Sequence, residues 1–269
     1  MSETIKVLVF GDTVGKPGRE ACRRLLPKLR EQYEIDFVVL NGENLANGSS
    51  ITRDSVEEVF SSGVDVITSG DHIFKKREAV PIVEQNSHVL RPLNYPKGTP
   101  GQGFVIVTTE TGVKIAVVNI LGRVFMQPVD CPFQTMETIL KSIKAQTKIV
   151  LVDFHAEATS EKVAMGWFLD GEVSAVYGTH THIQTSDETI LPKGTAYMTE
   201  LGMTGPYRSV IGRDIEQVLY RFRTQMPGPM DVALEDARLS GALIEINTET
   251  GKAVSIHRIH ERLNGSKSA

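Results

Sequence analysis

Residues able to hold a metal recur in this chain at the ends of apolar runs. His180 and His182 stand two positions apart in Tyr177-Gly178-Thr179-His180-Thr181-His182, just after such a run. In an extended segment residues i and i+2 point to the same side, so both imidazoles are expected to face one point in space. Two ligands do not close a site, but Asp12, Glu43-Asn44, Asp71-His72 and His155 each follow another apolar run. Carboxylates, imidazoles and an amide in one cleft suit one or two cations such as manganese, iron or zinc. Two are favoured, because a carboxylate can bridge cations about 3.5–4 Å apart and such pairs hydrolyse phosphate esters. The pair binds phosphoryl oxygens, neutralises charge in the transition state and acidifies a bridging water to hydroxide. A histidine beside it can then protonate the leaving oxygen.

Positioning these residues falls to the elements that precede them. Ile5 to Phe10, Phe37 to Leu40 and Val64 to Thr68 read as strands buried on both faces. A helix is expected from about Pro17, bent at Pro27, and a second one capped by Thr52. This βαβαβ start implies a parallel sheet, in which residues just past the strand C-termini gather along one edge. Residues 92–103 read as a Pro/Gly-rich loop, and Phe104 to Thr108 with Val113 to Ile120 as an antiparallel hairpin that starts a second sheet. A helix near Met136 to Ala145, a strand over 148–155, a helix capped by Thr159, a strand at Ala175 to Tyr177 and a closing hairpin (242–246 and 253–259) complete the pattern. Two sheets flanked by helices are the simplest assembly.

The 269 residues carry a formal net charge of -4, which argues against an extended basic footprint for duplex nucleic acid. Two cysteines, Cys22 and Cys131, are too few for a disulfide framework and fit a reducing compartment. Glu3 near the start and Asp12 after the first apolar run leave no expected signal peptide or membrane span, so the cytoplasm is the expected location.

Gly11-Asp12, Gly42-Glu43-Asn44, Gly70-Asp71-His72, the run Asp153-Phe154-His155-Ala156-Glu157-Ala158-Thr159-Ser160-Glu161-Lys162 and Gly178-Thr179-His180-Thr181-His182 together resemble, in order and spacing, the calcineurin-like metallophosphoesterases. The match is closest to their bacterial YmdB-type branch and, with Gly122-Arg123 and residues 202–206, covers nearly the whole chain. The resemblance implies an α/β fold, a four-layer αββα sandwich of two mixed sheets forming a single domain over residues 1–269. It also implies a dinuclear iron or manganese centre and phosphodiesterase activity on small diesters, including 2′,3′- and 3′,5′-cyclic nucleotides. By analogy Asp12, Glu43, Asn44 and His182 would hold one metal. Glu43 would bridge to a second, held by Asp71, His155 and His180, with His72 as proton donor. RNA is retained as an alternative partner, a homo-oligomer is expected, and no membrane partner is.

One position departs from the family, whose motif normally reads Gly-Asn-His where this chain has Asp71. A third carboxylate removes one positive charge from the centre, so the expectation is tighter metal binding and a slower enzyme. Gly11 to Lys16 resembles a phosphate-binding P-loop but is one residue short and has Pro17 where Ser or Thr should stand, so that reading is rejected. Arg123 and Tyr207 are candidate substrate contacts or structural residues, Asp153 a candidate support for the metal ligands or a turn residue, and Trp167 a core residue. His88, His257 and His260 are assigned no function. A phosphomonoesterase using the same centre, and a non-catalytic nucleotide or RNA sensor on the same frame, are the competing functions.

Overall fold

A computed structural model describes residues 3–263, so both ends of the expected domain lie outside the described residues. In chain order the first half comprises β1 (Thr4–Phe10), β2 (Asp12–Thr13), α1 (Gly15–Tyr33), β3 (Phe37–Asn41), α2 (Arg53–Ser61), β4 (Val66–Thr68), α3 (Ala79–Gln85), β5 (Phe104–Thr108) and β6 (Lys114–Leu121). The second half comprises α4 (Pro132–Lys144), β7 (Ile149–His155), α5 (Thr159–Phe168), β8 (Ala175–Thr179), β9 (Thr189–Ile190), β10 (Ala196–Met198), β11 (Met203–Pro206), α6 (Ile215–Thr224), β12 (Ala237–Asn247) and β13 (Ala253–Arg262).

One sheet has seven strands in the order β2-β11-β12-β1-β3-β4, with β13 paired to β12; the other has six, β5-β6-β7-β8-β10-β9. Within them β1, β3 and β4 run parallel, as do β6, β7 and β8. Both sheets also contain antiparallel pairs, β1 with β12 and β5 with β6. Each is therefore mixed.

Strand alternation sorts the apolar side chains into three cores. Val7, Val9 and Val39 meet Val117, Leu151 and Tyr177 between the two sheets. Leu8, Phe10, Val38 and Leu40 point the other way and pack under Cys22, Leu26, Val56 and Val59 of α1 and α2. Val118, Val150, Val152 and Phe154 cover the second sheet's outer face against Met136 and Leu140 of α4 and Met165 of α5. Helix, sheet, sheet and helix thus form the four layers. Each fully buried Val, Leu, Ile or Phe contributes roughly 1.5–3 kcal/mol of transfer free energy, and strands buried on both faces must be apolar throughout.

The capping prediction at Thr52 holds: its hydroxyl accepts from Ser55 N at 3.3 Å while the Ser55 hydroxyl accepts from Thr52 N at 2.9 Å, a capping box. Thr159 is instead the first residue of α5, and Ala158 at the cap position makes no side-chain cap bond. Pro27 lies inside α1, which continues through it to Tyr33. Trp167 is 57% exposed and does not belong to the core; α5 turns Met165 and Gly166 inward. No helix among the described residues is long and apolar enough to cross a membrane.

Candidate metal centre

The C-terminal ends of β1, β3, β4, β7 and β8 bring Asp12, Glu43, Asn44, Asp71, His72, His155, His180 and His182 together at one edge of the sandwich. Ligand atoms of Glu43, Asp71, His155 and His180 all lie within 4.8 Å of one another. His155 Nε2 is 3.3 Å from Glu43 Oε2, 3.4 Å from Asp71 Oδ1 and 3.1 Å from His180 Nδ1. Beside this group lies a second one. His182 Nε2 is 3.7 Å from Asp12 Oδ1, and the Asn44 amide is 3.5 Å from each of those two atoms. Glu43 stands between the groups, with Oε2 toward His155 and Oε1 3.0 Å from the Asn44 amide.

The two histidines of the His-x-His pair do not share one point, because the strand pleat ends before them. β8 ends at Thr179, and His180 and His182 take left-handed φ values of 100° and 65°. The turn sends His180 to the Glu43–Asp71–His155 group and His182 to Asp12 and Asn44. Non-glycine residues held in this region cost of order 1–3 kcal/mol each and persist where surrounding contacts over-determine them. Those contacts are present. The His180 amide donates to Asp12 Oδ2 at 2.8 Å, and His180 Nε2 lies 3.1 Å from Glu157. His182 Nδ1 lies 2.9 Å from the Ile211 carbonyl. Between them, Thr181 donates its amide (3.1 Å) and hydroxyl (2.7 Å) to Glu200, which is buried with Lys162 in an ion pair at 2.8 Å.

Asp153 reaches the site through its neighbours. Its carboxylate accepts from Asn41 (3.0 Å), from Thr68 and from the Thr179 hydroxyl (2.6 Å), and Thr179 Oγ1 is 2.9 Å from His155 Nδ1. A Thr179 hydroxyl donating to Asp153 can only accept from His155, so the network assigns the His155 proton to Nδ1 and turns Nε2 toward the carboxylates. Burial pushes the Asp153 carboxyl up to about 6.

Electrostatics describe a place that attracts positive charge. Burial alone would raise the Glu43 carboxyl, yet His155 and His72 hold it well below the ordinary range. Burial would lower the His155 imidazole, but Glu43, Asp71 and Asp12 push it well above its usual value. Burial and neighbouring His155 lower the His180 imidazole, which favours its neutral form. Asp71 Oδ1 is buried and makes no hydrogen bond among the described residues, an orphan that a cation would satisfy. Gly70 is required for this packing: a Cβ there would overlap His155 Nε2 and Glu43 Oε2. Buried carboxylate oxygens and imidazole nitrogens are the donor set of a borderline transition metal, so the residues fit such an ion.

A cleft of about 400 Å³ opens over Glu43, His72, His180 and His182. Its lining also includes Val14, Ile211, Arg213 and Met230, which the sequence reading missed because they sit on irregular segments with no pattern to mark them. Arg213 is anchored there by the carbonyls of Gly48 and Met230. Of the weaker candidates, Arg123 is exposed, with its backbone amide held by Glu161 at 3.1 Å. Tyr207 packs between His260 and Arg238, a structural contact.

Two mixed sheets between helices, with buried carboxylates and histidines gathered at the strand ends, define the metallophosphoesterase-like class of phosphatases. The sequence model described as YmdB-like protein matches residues 8–259. The chain belongs to that family, as its motifs had implied. It is 44% identical over 255 residues to a 2′,3′-cyclic-nucleotide 2′-phosphodiesterase of Bacillus subtilis (strain 168), covering 95% of this chain and 96% of that protein. Among solved structures it resembles a hypothetical protein of Thermus thermophilus, at 41% identity with TM-score 0.89, covering 96% of this chain and 99% of the other. It also resembles a novel phosphatase of Mycoplasma pneumoniae, at 33% identity with TM-score 0.91, covering 97% and 95%.

Proposed function

We propose that this chain is a metal-dependent phosphoric diester hydrolase whose substrates are 2′,3′-cyclic nucleotides. The observation that carries the reading is Glu43, whose Oε2 faces His155 beside Asp71 and His180 while its Oε1 accepts from the Asn44 amide nitrogen beside Asp12 and His182. Asp12, Glu43, Asn44 and His182 would hold one iron or manganese ion, and Glu43, Asp71, His155 and His180 a second. Bound there, the pair would acidify water and neutralise charge on the phosphoryl oxygens.

The chain's own residues complete the chemistry. His72 Nδ1 lies 2.9 Å from Asn44 Oδ1 and 3.2 Å from Glu43 Oε1, so the proton it can give away is on Nε2. Hydrogen bonding to Glu43 raises the His72 imidazole above its usual value, which favours the protonated form that a general acid needs. The oxygen of water adds to phosphorus and loses one proton to solvent, one phosphorus–ribose oxygen bond breaks, His72 delivers its proton to the departing oxygen, and a proton from solvent restores His72. Arg213, held by carbonyls in the lining of the same cleft, supplies a fixed cation for a phosphate oxygen. The 44% identical cyclic-nucleotide phosphodiesterase supports the substrate class.

The test combines metal analysis with turnover of adenosine 2′,3′- and 3′,5′-cyclic phosphates and of bis- and mono-p-nitrophenyl phosphate. Two equivalents of metal per chain, preference for diesters, and loss of turnover in His72→Ala with metal retained are expected. Binding without hydrolysis in both proteins would replace the enzyme with a sensor, and preference for monoesters would make it a phosphomonoesterase.

A further inference from the structure

Beyond Asp71 the site continues into a second open cleft of about 400 Å³ that the chemistry above leaves unused. Its lining includes Phe74, Lys75, Tyr95, Pro96, Thr99 and Gln127. We propose that this cleft receives the base of the substrate nucleotide, stacked against Phe74 and Tyr95 with its edge toward Gln127, and that it favours purines. The proposal rests on reading the site as a cyclic-nucleotide hydrolase.

Three observations converge on it. The first is chemical. Phe74 and Tyr95 lie side by side, with ring centroids 6.2 Å apart and planes inclined at 36°. Aromatic faces beside a phosphate-binding centre are the usual platform for a base, and purines offer the larger stacking surface. Gln127 donates one amide hydrogen to the Tyr95 hydroxyl at 2.7 Å, and its amide has a second hydrogen and a carbonyl oxygen to offer a base edge.

The second is rigidity. The Tyr95 hydroxyl also donates to the Gly70 carbonyl at 3.4 Å, joining the platform to the turn that carries Asp71 and His72. That turn is compact, with Ile73 N donating to Gly70 O at 3.3 Å and Lys75 N to His72 O at 3.0 Å. Platform and metal-binding residues are therefore held in one piece.

The third is direction. The leaving oxygen belongs to the ribose, so the nucleoside must lie on the proton donor's side of the phosphate. His72 shares its turn with Phe74. The cleft over His72, His180 and His182 has no Phe, Tyr or Trp among its described lining residues, which include Val14, Ile211, Arg213 and Met230. Nor does the Phe74 cleft suit a second phosphate, since Asp71 is among its lining residues and Lys75 is the one cation among those described.

The experiment compares kcat/KM for the 2′,3′-cyclic phosphates of adenosine, cytidine and base-less methyl riboside, in wild-type metal-loaded protein and in Phe74→Leu and Gln127→Ala. Wild-type protein is expected to prefer the adenosine ester over the base-less one by roughly ten- to a hundredfold, the worth of one stacked base. Phe74→Leu should collapse that ratio at least fivefold through KM rather than kcat, and Gln127→Ala should narrow the gap between adenosine and cytidine. Wild-type turnover of all three esters with ratios unchanged in both variants would overturn the subsite alone. An equal loss of kcat on every ester would also overturn it, by showing a structural role. Absence of wild-type turnover on all three would overturn the function and the subsite with it.

Discussion

Lys162 and Glu200 are 2% and 1% exposed, and their contact at 2.8 Å underlies the turn that presents His180 and His182. At that distance two unit charges attract by about 6 kcal/mol at an effective dielectric constant of ~20. Burial costs each ion several kcal/mol, so the intact pair is near neutral, while either partner alone is a buried uncompensated charge. Lys162→Met is therefore expected to destabilise the protein by about 3–5 kcal/mol, lowering Tm by on the order of 10 °C. Glu200 would keep its bonds from Thr181 and from the Gly202 amide, which places the loss toward the lower end. Lys162→Met/Glu200→Gln removes both charges and should recover at least half of the lost stability. The assay is urea unfolding of chelator-treated protein, so that metal linkage does not enter the comparison. Because Thr181 lies between the two histidines, Lys162→Met should also weaken metal retention at least tenfold. A single-variant cost below about 1 kcal/mol, or a double variant no better than the single, would refute the assignment of the pair as a buried strut.

Asp71→Asn should weaken metal retention and raise turnover per loaded site severalfold, because the centre regains a positive charge; unchanged metal content and unchanged rate would sink that account. Gly70→Ala forces a methyl group into the space of His155 Nε2, and should lower metal affinity at least tenfold, read by metal titration; full retention would show that the turn can yield. Cys22 is fully buried and its thiol is pushed up to about 12, chiefly by burial. Below that pH it remains the unreactive thiol, so native protein at pH 8 should lose one thiol to alkylating reagent, at half-buried Cys131, and both on denaturation; rapid modification of Cys22 without unfolding would contradict the packing of α1.

Parallel strands and their polar ends were legible in the sequence because burial on both faces demands unbroken apolar runs. Ile5 to Phe10, Phe37 to Leu40 and the run over 148–155 announce both themselves and the residues at their ends. Short elements were not legible: β2, β9, β10 and β11 have two to four residues, too few for any period, and they exist because longer strands offer them an edge. Trp167 misled for a related reason. Helical spacing says which residues share a face, whereas which face turns inward depends on what the helix packs against.

Residue types and their order along the chain were enough to determine the family, the layers and the set of side chains that meet at the strand ends. How those side chains divide was decided only by the tertiary structure. The left-handed turn at His180 and His182 separates two imidazoles that strand geometry would have aimed together, and a buried ion pair from α5 and the segment after β10 supports that turn. The physical reason is that local sequence sets φ and ψ preferences worth a kcal/mol or so. Contacts between residues far apart in the chain, such as Asp12 with the His180 amide, outweigh them.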